Sequence, residues 1–193
     1  MKKTILALAA TAALTLTPSL FAQQSTWTID PMHSQAGFDV RHMGVSNVHG
    51  AISNITGQVI WDEKDVTKDS VVADLDLSTV STNNDARDKH LKSADFFDVA
   101  QYPKMHFQST ATTRVSGKLQ VTGNLTIGAV TKPVVLVVDG PVPPQKGMKG
   151  GLVSGFSATT TIKRSDFNFG SKFPAPMLSD EVKIEIDMEI DKQ

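Results

Sequence analysis

The stretch Val182-Lys183-Ile184-Glu185-Ile186-Asp187-Met188-Glu189-Ile190-Asp191 decides the fold. Its apolar residues recur at every second position, which puts them on one side of a strand, whereas on a helix they would scatter round the axis. The same parity recurs upstream. Ala36, Phe38 and Val40 alternate with Asp39 and Arg41, and Val71, Ala73, Leu75 and Leu77 with Asp74, Asp76 and Ser78. Leu119, Val121, Leu125 and Ile127 alternate with Gln120, Thr122, Asn124 and Thr126, while Phe156, Ala158, Thr160 and Ile162 form a less apolar set. Further strands are expected near Ile52 to Trp61, Lys104 to Thr113 and Lys132 to Asp139, which makes eight. Regular spacing with short turns predicts an all-β antiparallel sandwich or barrel. Eight strands can close round one small ligand.

One stretch breaks the alternation. From Asn84 to Phe97 there is no period of two, Asn83 and Asn84 are cap-type residues, and a helix over about residues 84–95 is predicted. Asp85, Asp88, Lys89 and Lys92 share its solvated face, so Arg87, His90, Leu91 and Ala94 fall on the side that packs against the sheet. The only irregular loop is Gly140 to Gly151, with Pro141, Pro143 and Pro144; it reads as a long turn.

The chain opens with Lys2 and Lys3, an apolar run from Ile5 to Leu16 and a small residue at Ala22, the layout of a secretory signal peptide over residues 1–22. Its apolar core is shorter than the ~20 residues a spanning helix needs. Residues 23–193 then fit one domain. Without the leader, 17 basic face 20 acidic residues, and no basic block follows a phosphate backbone, which argues against a nucleic-acid partner. Cysteine is absent, so neither disulfides nor thiolate metal sites contribute.

Candidate chemistry is sparse. An inward Arg87 with His90 reads either as a clamp for a phosphate or carboxylate head group or as an internal salt bridge, since a buried Arg must be paired in both cases. His33, His42, His49 and His106 lack the spacing of zinc or iron motifs, and no metal or other cofactor is expected. Ser34 beside His33 has no nucleophile-elbow context, and neighbouring strand residues point to opposite faces. Asp166 before Phe167, and Lys132 before Pro133, read as turn and strand-entry residues. Catalysis is therefore not expected. Periodicity alone leaves open whether the apolar interior is filled or hollow.

Trp27, Ile29, Asp30, His33 and Ser34, followed by Phe38, Val40, His42 and Met43, resemble the opening motif of the YceI-like, polyisoprenoid-binding family. Arg87, Asp88, His90, Leu91, Ser93, Phe96, Phe97 and Asp98, with Tyr102 and Pro103, are similar to its R-D-x-H-L-x-S-x-x-F-F-D run and Y-P ending. Gly123, Leu125 and Thr126, then Thr131 to Val134, then Arg164, Asp166 and Phe167, and finally Leu178 to Val182 extend the likeness over nearly all of residues 23–193. Ala129 and Asn168 stand where that family tends to have Gly; Asn accepts a positive φ more readily than most residues. The resemblance implies an extended eight-stranded lipocalin-like barrel with the helix packed over it, a long apolar tunnel, no enzymatic activity and a periplasmic home. It implies a long-chain isoprenoid or similar lipid as partner and no membrane-spanning segment. Transient membrane contact and a homodimer stay open.

On that reading Phe38, Val40, Leu75, Leu77, Leu125, Phe156, Ile184 and Ile186 line the tunnel, and Arg87, His90, His42 and Arg164 face the polar end. Burying a prenyl chain from water returns about 0.8 kcal/mol per CH2 group. A lipid drawn from a membrane is already out of water, so selectivity must come from tunnel length, tunnel shape and the head group. The rival readings are a periplasmic lipid enzyme using His and Arg at the mouth, a ligand-free structural protein, and an outer-membrane barrel. Trp27, Trp61 and Tyr102 are too few for the aromatic girdles of the last.

Overall fold

A computed structural model of the chain describes residues 24–148 and 150–193. The signal peptide expected over residues 1–22 lies outside them. The strands are β1 (Gln24–Ile29), β2 (Gln35–His42), β3 (Ser46–Ile52), β4 (Ile55–Asp62), β5 (Ser70–Asp76), β6 (Lys104–Val115), β7 (Lys118–Ile127), β8 (Val130–Asp139), β9 (Gln145–Lys146), β10 (Leu152–Lys163) and β11 (Leu178–Lys192). The single α-helix among the described residues, α1, spans Asp85–Leu91.

β1 and β2 run in the same direction along one edge of β11, with Trp27 opposite Lys192 and Ala36 opposite Ile186, and together fill one barrel position. β3 and β4 do the same on their other side, facing β2 and β1 in turn. β5, β6, β7, β8 and β10 follow as antiparallel neighbours, and the long β10–β11 ladder closes the ring. The result is a closed antiparallel barrel of eight strand positions. Closure pairs nearly every strand edge.

The eight strands expected from periodicity all occur. β1 and β3 were not foreseen as separate elements because they continue β2 and β4 across short breaks at residues 30–34 and 53–54. Asn54 takes φ 53° at the second break, a conformation that ends strand geometry.

The outward residues of β11, Lys183, Glu185 and Asp187, are exposed, while Val182, Ile184 and Ile186 turn to the interior. A wet exterior round an apolar interior is the inverse of a transmembrane barrel. No helix among the described residues is long and apolar enough to cross a membrane.

Two segments cross one end of the barrel as a cap: residues 77–103, which contain α1, and residues 164–177. The helix is shorter than the 84–95 expected. Asn84 caps it through its side-chain oxygen, which accepts from Arg87 N. At the other end Ser93 Oγ donates to the His90 carbonyl at 2.7 Å, Phe97 N donates back to Leu91 O and Val99 N to Lys92 O. These bonds wrap residues 92–101 into turns, because a Ser hydroxyl that takes a helical carbonyl competes with the helical ladder. In the other cap segment, Asn168 sits at φ 54° after the 3-10 turn Arg164–Phe167.

Candidate functional site

Inward side chains of a filled barrel are excluded from solvent-sized space. Here the inward set divides. Leu75, Phe107, Leu119, Val121 and Leu125 are buried, but Phe38, Val40, Phe156, Val182, Ile184 and Ile186 are only half-buried although they point to the barrel axis. They face an interior cavity of about 210 Å³ whose surface is almost wholly carbon. That exceeds the ~150 Å³ at which an apolar cavity already binds benzene.

The cavity runs the length of the barrel. At the cap end it is closed by Leu91, Phe96, Phe97, Phe167 and Phe169. Phe96 stacks on Phe173 with ring centroids 5.0 Å apart and planes 5° from parallel, and Phe97 meets Phe169 at 4.6 Å, so aromatic contacts join the two cap segments. Lys172 Nζ donates to Asp95 above them. At the far end the wall includes Trp61, Asp69, Ser70 and Pro141. The Gly140–Gly151 loop beside that end is held to β10: Val142 N donates to Gly155 O, Ser154 Oγ donates to Val142 O, and β9 pairs with Leu152 and Val153.

Of the tunnel residues expected from sequence, Phe38, Val40, Leu75, Leu125, Phe156, Ile184 and Ile186 line the cavity. Leu77 does not. It leaves the β5 alternation in the 3-10 turn Leu77–Thr79 and is fully buried with Ile52, Ile55 and Val80. Trp61, Phe107 and the cap phenylalanines line the cavity without having been foreseen. Phe96, Phe97, Phe167 and Phe169 lie outside the strands, where no period marks an inward face.

The four expected head-group residues are dispersed. Arg87 is exposed, and its Nε and Nη2 donate to Oγ1 and the carbonyl of Thr82 at 2.7 and 2.8 Å. Asp88, assigned to the solvated face, is instead half-buried and accepts from Thr82 N and Oγ1. The expected inward orientation of Arg87 is thus corrected: its guanidinium folds back on Thr82 and stays exposed, and Asp88 of the same helix bonds to Thr82 as well. His90 is also exposed, contacts Asp95 through Nε2 at 3.2 Å, and sets its ring edge on Phe96 and Phe173 outside the cavity. His42 is exposed at the end of β2 and does not line the cavity.

Arg164 alone of the four reaches the cavity wall, and it is 7% exposed. Its Nε donates to Ser179 O, Nη1 to Phe169 O and Gly170 O, and Nη2 to Phe173 O and Leu178 O, at 2.8 to 3.2 Å. All five N–H groups of a guanidinium are therefore used on backbone carbonyls. Burial pulls its pKa down and the charge of Asp180 acts the other way. Asp180 itself accepts from Ser165 N and Oγ, which hold its carboxyl below the usual range.

At the far end Asp69 Oδ1 accepts from Asp62 N and its carbonyl from Thr112 Oγ1. Burial pushes the Asp69 carboxyl up, against the hydrogen bond from Asp62 N, and the charge of Asp62 adds to the rise.

His33 and Ser34 do not partner each other. Ser34 Oγ donates to Glu189 O and accepts from Glu189 N, while His33 Nδ1 lies 2.8 Å from Asp30 Oδ2 and 3.8 Å from Glu189 Oε1. Asp30, His33 and Glu189 form an ion-pair cluster that ties the β1–β2 break to β11.

Fold and interior together define a closed β-barrel of the lipocalin-like kind, with an apolar cavity under an aromatic cap. The YceI-like domain model matches residues 27–190, and the chain belongs to that family. It is 35% identical to Protein YceI of Salmonella arizonae over 194 residues, covering 98% of this chain and 97% of the relative. The crystal structure of the Campylobacter jejuni YCEI protein superposes with TM-score 0.70 at 31% identity, covering 79% of this chain and 90% of that one. A polyisoprenoid binding domain from Saccharophagus degradans shares the fold, with TM-score 0.64, 12% identity, and coverage of 89% and 100%.

Proposed function

We propose that this chain binds a long-chain apolar lipid inside the barrel, a polyisoprenoid, an isoprenoid quinone or a related amphiphile, for storage, transport or stress protection in the periplasm. It acts as a binding protein and not as an enzyme. The observation that carries this reading is the half-buried state of inward side chains such as Ile184, Ile186 and Phe156 in a closed barrel, with carbon on nearly every wall. Membership of the YceI-like family supports it, as does the shared fold of a domain described as polyisoprenoid binding. The leader-like residues 1–22 support secretion.

Eight strands enclose the chain of the lipid, and the cap segments 77–103 and 164–177 cover one end. Phe38, Val40, Leu75, Leu125, Phe156, Ile184 and Ile186 meet the lipid tail. Trp61 is a reporter on the cavity wall, 5.5 Å from the Trp27 ring. Titration with an isoprenoid quinone, followed by tryptophan fluorescence, is expected to saturate at one ligand per chain and to lose most of its amplitude in Trp61→Phe. Quenching that rises without saturation, or is unchanged in Trp61→Phe, contradicts the reading.

A further inference from the structure

We propose that the lipid enclosed by this barrel carries no ionised head group: the cavity takes an uncharged lipid whole and rejects its phosphorylated counterpart. This rests on the lipid-binding reading above and specifies its ligand class.

Charge is scarce on the cavity wall. Among the described residues lining it, Arg164 and Asp69 are the only charged ones. A phosphate buried at the cap end would need N–H donors, because an ion taken from water must recover its hydrogen bonds in the site. Arg164 has none to give. Its five donors go to the carbonyls of Phe169, Gly170, Phe173, Leu178 and Ser179, whose oxygens, the negative dipole ends, ring the guanidinium and face it. Recruiting it for a ligand would strand carbonyls of the cap segment. At the far end the charged wall residue is an acid, Asp69, with the charge of Asp62 near it; Arg114 acts the other way on Asp69 but does not line the cavity, so no cation on the wall receives an anion there. What remains on the wall is neutral and almost wholly carbon: Ser70, Thr112 and Thr160 are its uncharged polar residues, and the Thr112 hydroxyl already donates to Asp69 O. Such a wall suits an uncharged lipid, whose neutral oxygen costs far less to bury than an ion. Arg87, His90 and His42, which could have held an anion, stand outside the cavity.

The test compares geranylgeraniol with geranylgeranyl diphosphate, which share one hydrocarbon chain, by Trp61 fluorescence on the mature protein. The alcohol is expected to bind at least about 100-fold more tightly, since an ion buried without partners loses several kcal/mol. Equal or tighter binding of the diphosphate overturns the proposal, because its head would then be held inside by donors or left outside the mouth. Asp69→Asn keeps the acceptor for Asp62 N and removes the charge. It is expected to narrow the ratio by about tenfold, and an unchanged ratio removes Asp69 from the account. If neither ligand binds, the lipid-binding reading itself fails, an outcome distinct from loss of selectivity.

Discussion

The phenyl ring of Phe38 lies flat over Gly50, its cross-strand partner in the β2–β3 ladder: a Cβ placed on Gly50 would stand 2.2 Å from Phe38 Cζ. Directly paired residues share a face, so both look into the barrel. The missing side chain at Gly50 lets an aromatic ring lie along the wall and leaves the axis open. Gly50→Ala should therefore tip Phe38 into the cavity. The ring has free space to enter, so stability should change by no more than about 1 kcal/mol while lipid affinity falls about tenfold. Paired denaturation and binding curves check this. Affinity equal to wild type would show that Phe38 is not a wall of the ligand space.

Arg164 is predicted to be a structural cation. Arg164→Lys keeps the charge but offers three donors in place of five, and each carbonyl left buried without a partner costs about 1–3 kcal/mol. The variant should lose at least about 3 kcal/mol in denaturant unfolding, with the segment 164–179 gaining amide exchange first. Wild-type stability together with loss of ligand binding would instead give Arg164 a direct role in recognition.

Cap opening should depend on the Phe96–Phe173 stack. An aromatic pair contributes about 0.5–1.5 kcal/mol beyond its buried area, so Phe173→Ala is expected to speed ligand release by about tenfold or less in a stopped-flow displacement, with smaller change in equilibrium affinity. Replacing Lys172, whose partner Asp95 is on the other cap segment, should act in the same direction. Release at the wild-type rate in both variants would place the ligand's exit at the far end of the barrel.

The His33–Asp30 pair makes the β1–β2 break sensitive to pH. The hydrogen bond that His33 Nδ1–H donates to the Asp30 carboxylate raises the pKa of His33 from 6.5 and lowers that of Asp30 from 3.8. A raised His contributes stability that is full below its unfolded value and lost as pH rises through the folded value. A lowered Asp contributes stability present above its unfolded value and lost as pH falls through the folded one. The melting-temperature gap between wild type and His33→Ala should thus be widest between about pH 4 and 6.5 and close on either side. A gap that grows above pH ~8 would contradict the assignment.

Much of the barrel is legible in the chain because strand parity depends only on each residue's own polarity. Val182 to Ile190 announce both their strand and its inner face, and the same holds for Leu119 to Ile127. Where parity fails, reading fails with it. Thr112 turns inward only because the β6–β7 ladder shifts register between Ser109 and Ala111, and Leu77 leaves its strand's pattern in a single 3-10 turn. The helix illustrates a second limit. Its face assignment depends on where it ends, and Ser93 ends it through one hydroxyl bond to His90 O. Arg164 shows a third: the family resemblance singles it out, but only the fold reveals that five carbonyls from 169 to 179 converge on it. Nor does alternation register whether the inward side chains meet across the axis, so the hollow interior becomes visible only in the assembled barrel.

The most direct test of a hollow, lipid-filled barrel is native mass spectrometry of the protein purified from its native host, before and after organic extraction. A stoichiometric extra mass is expected, one that extraction removes and that resolves into an uncharged long-chain lipid. A bare mass that stays bare after incubation with isoprenoid quinones and prenyl alcohols would contradict it.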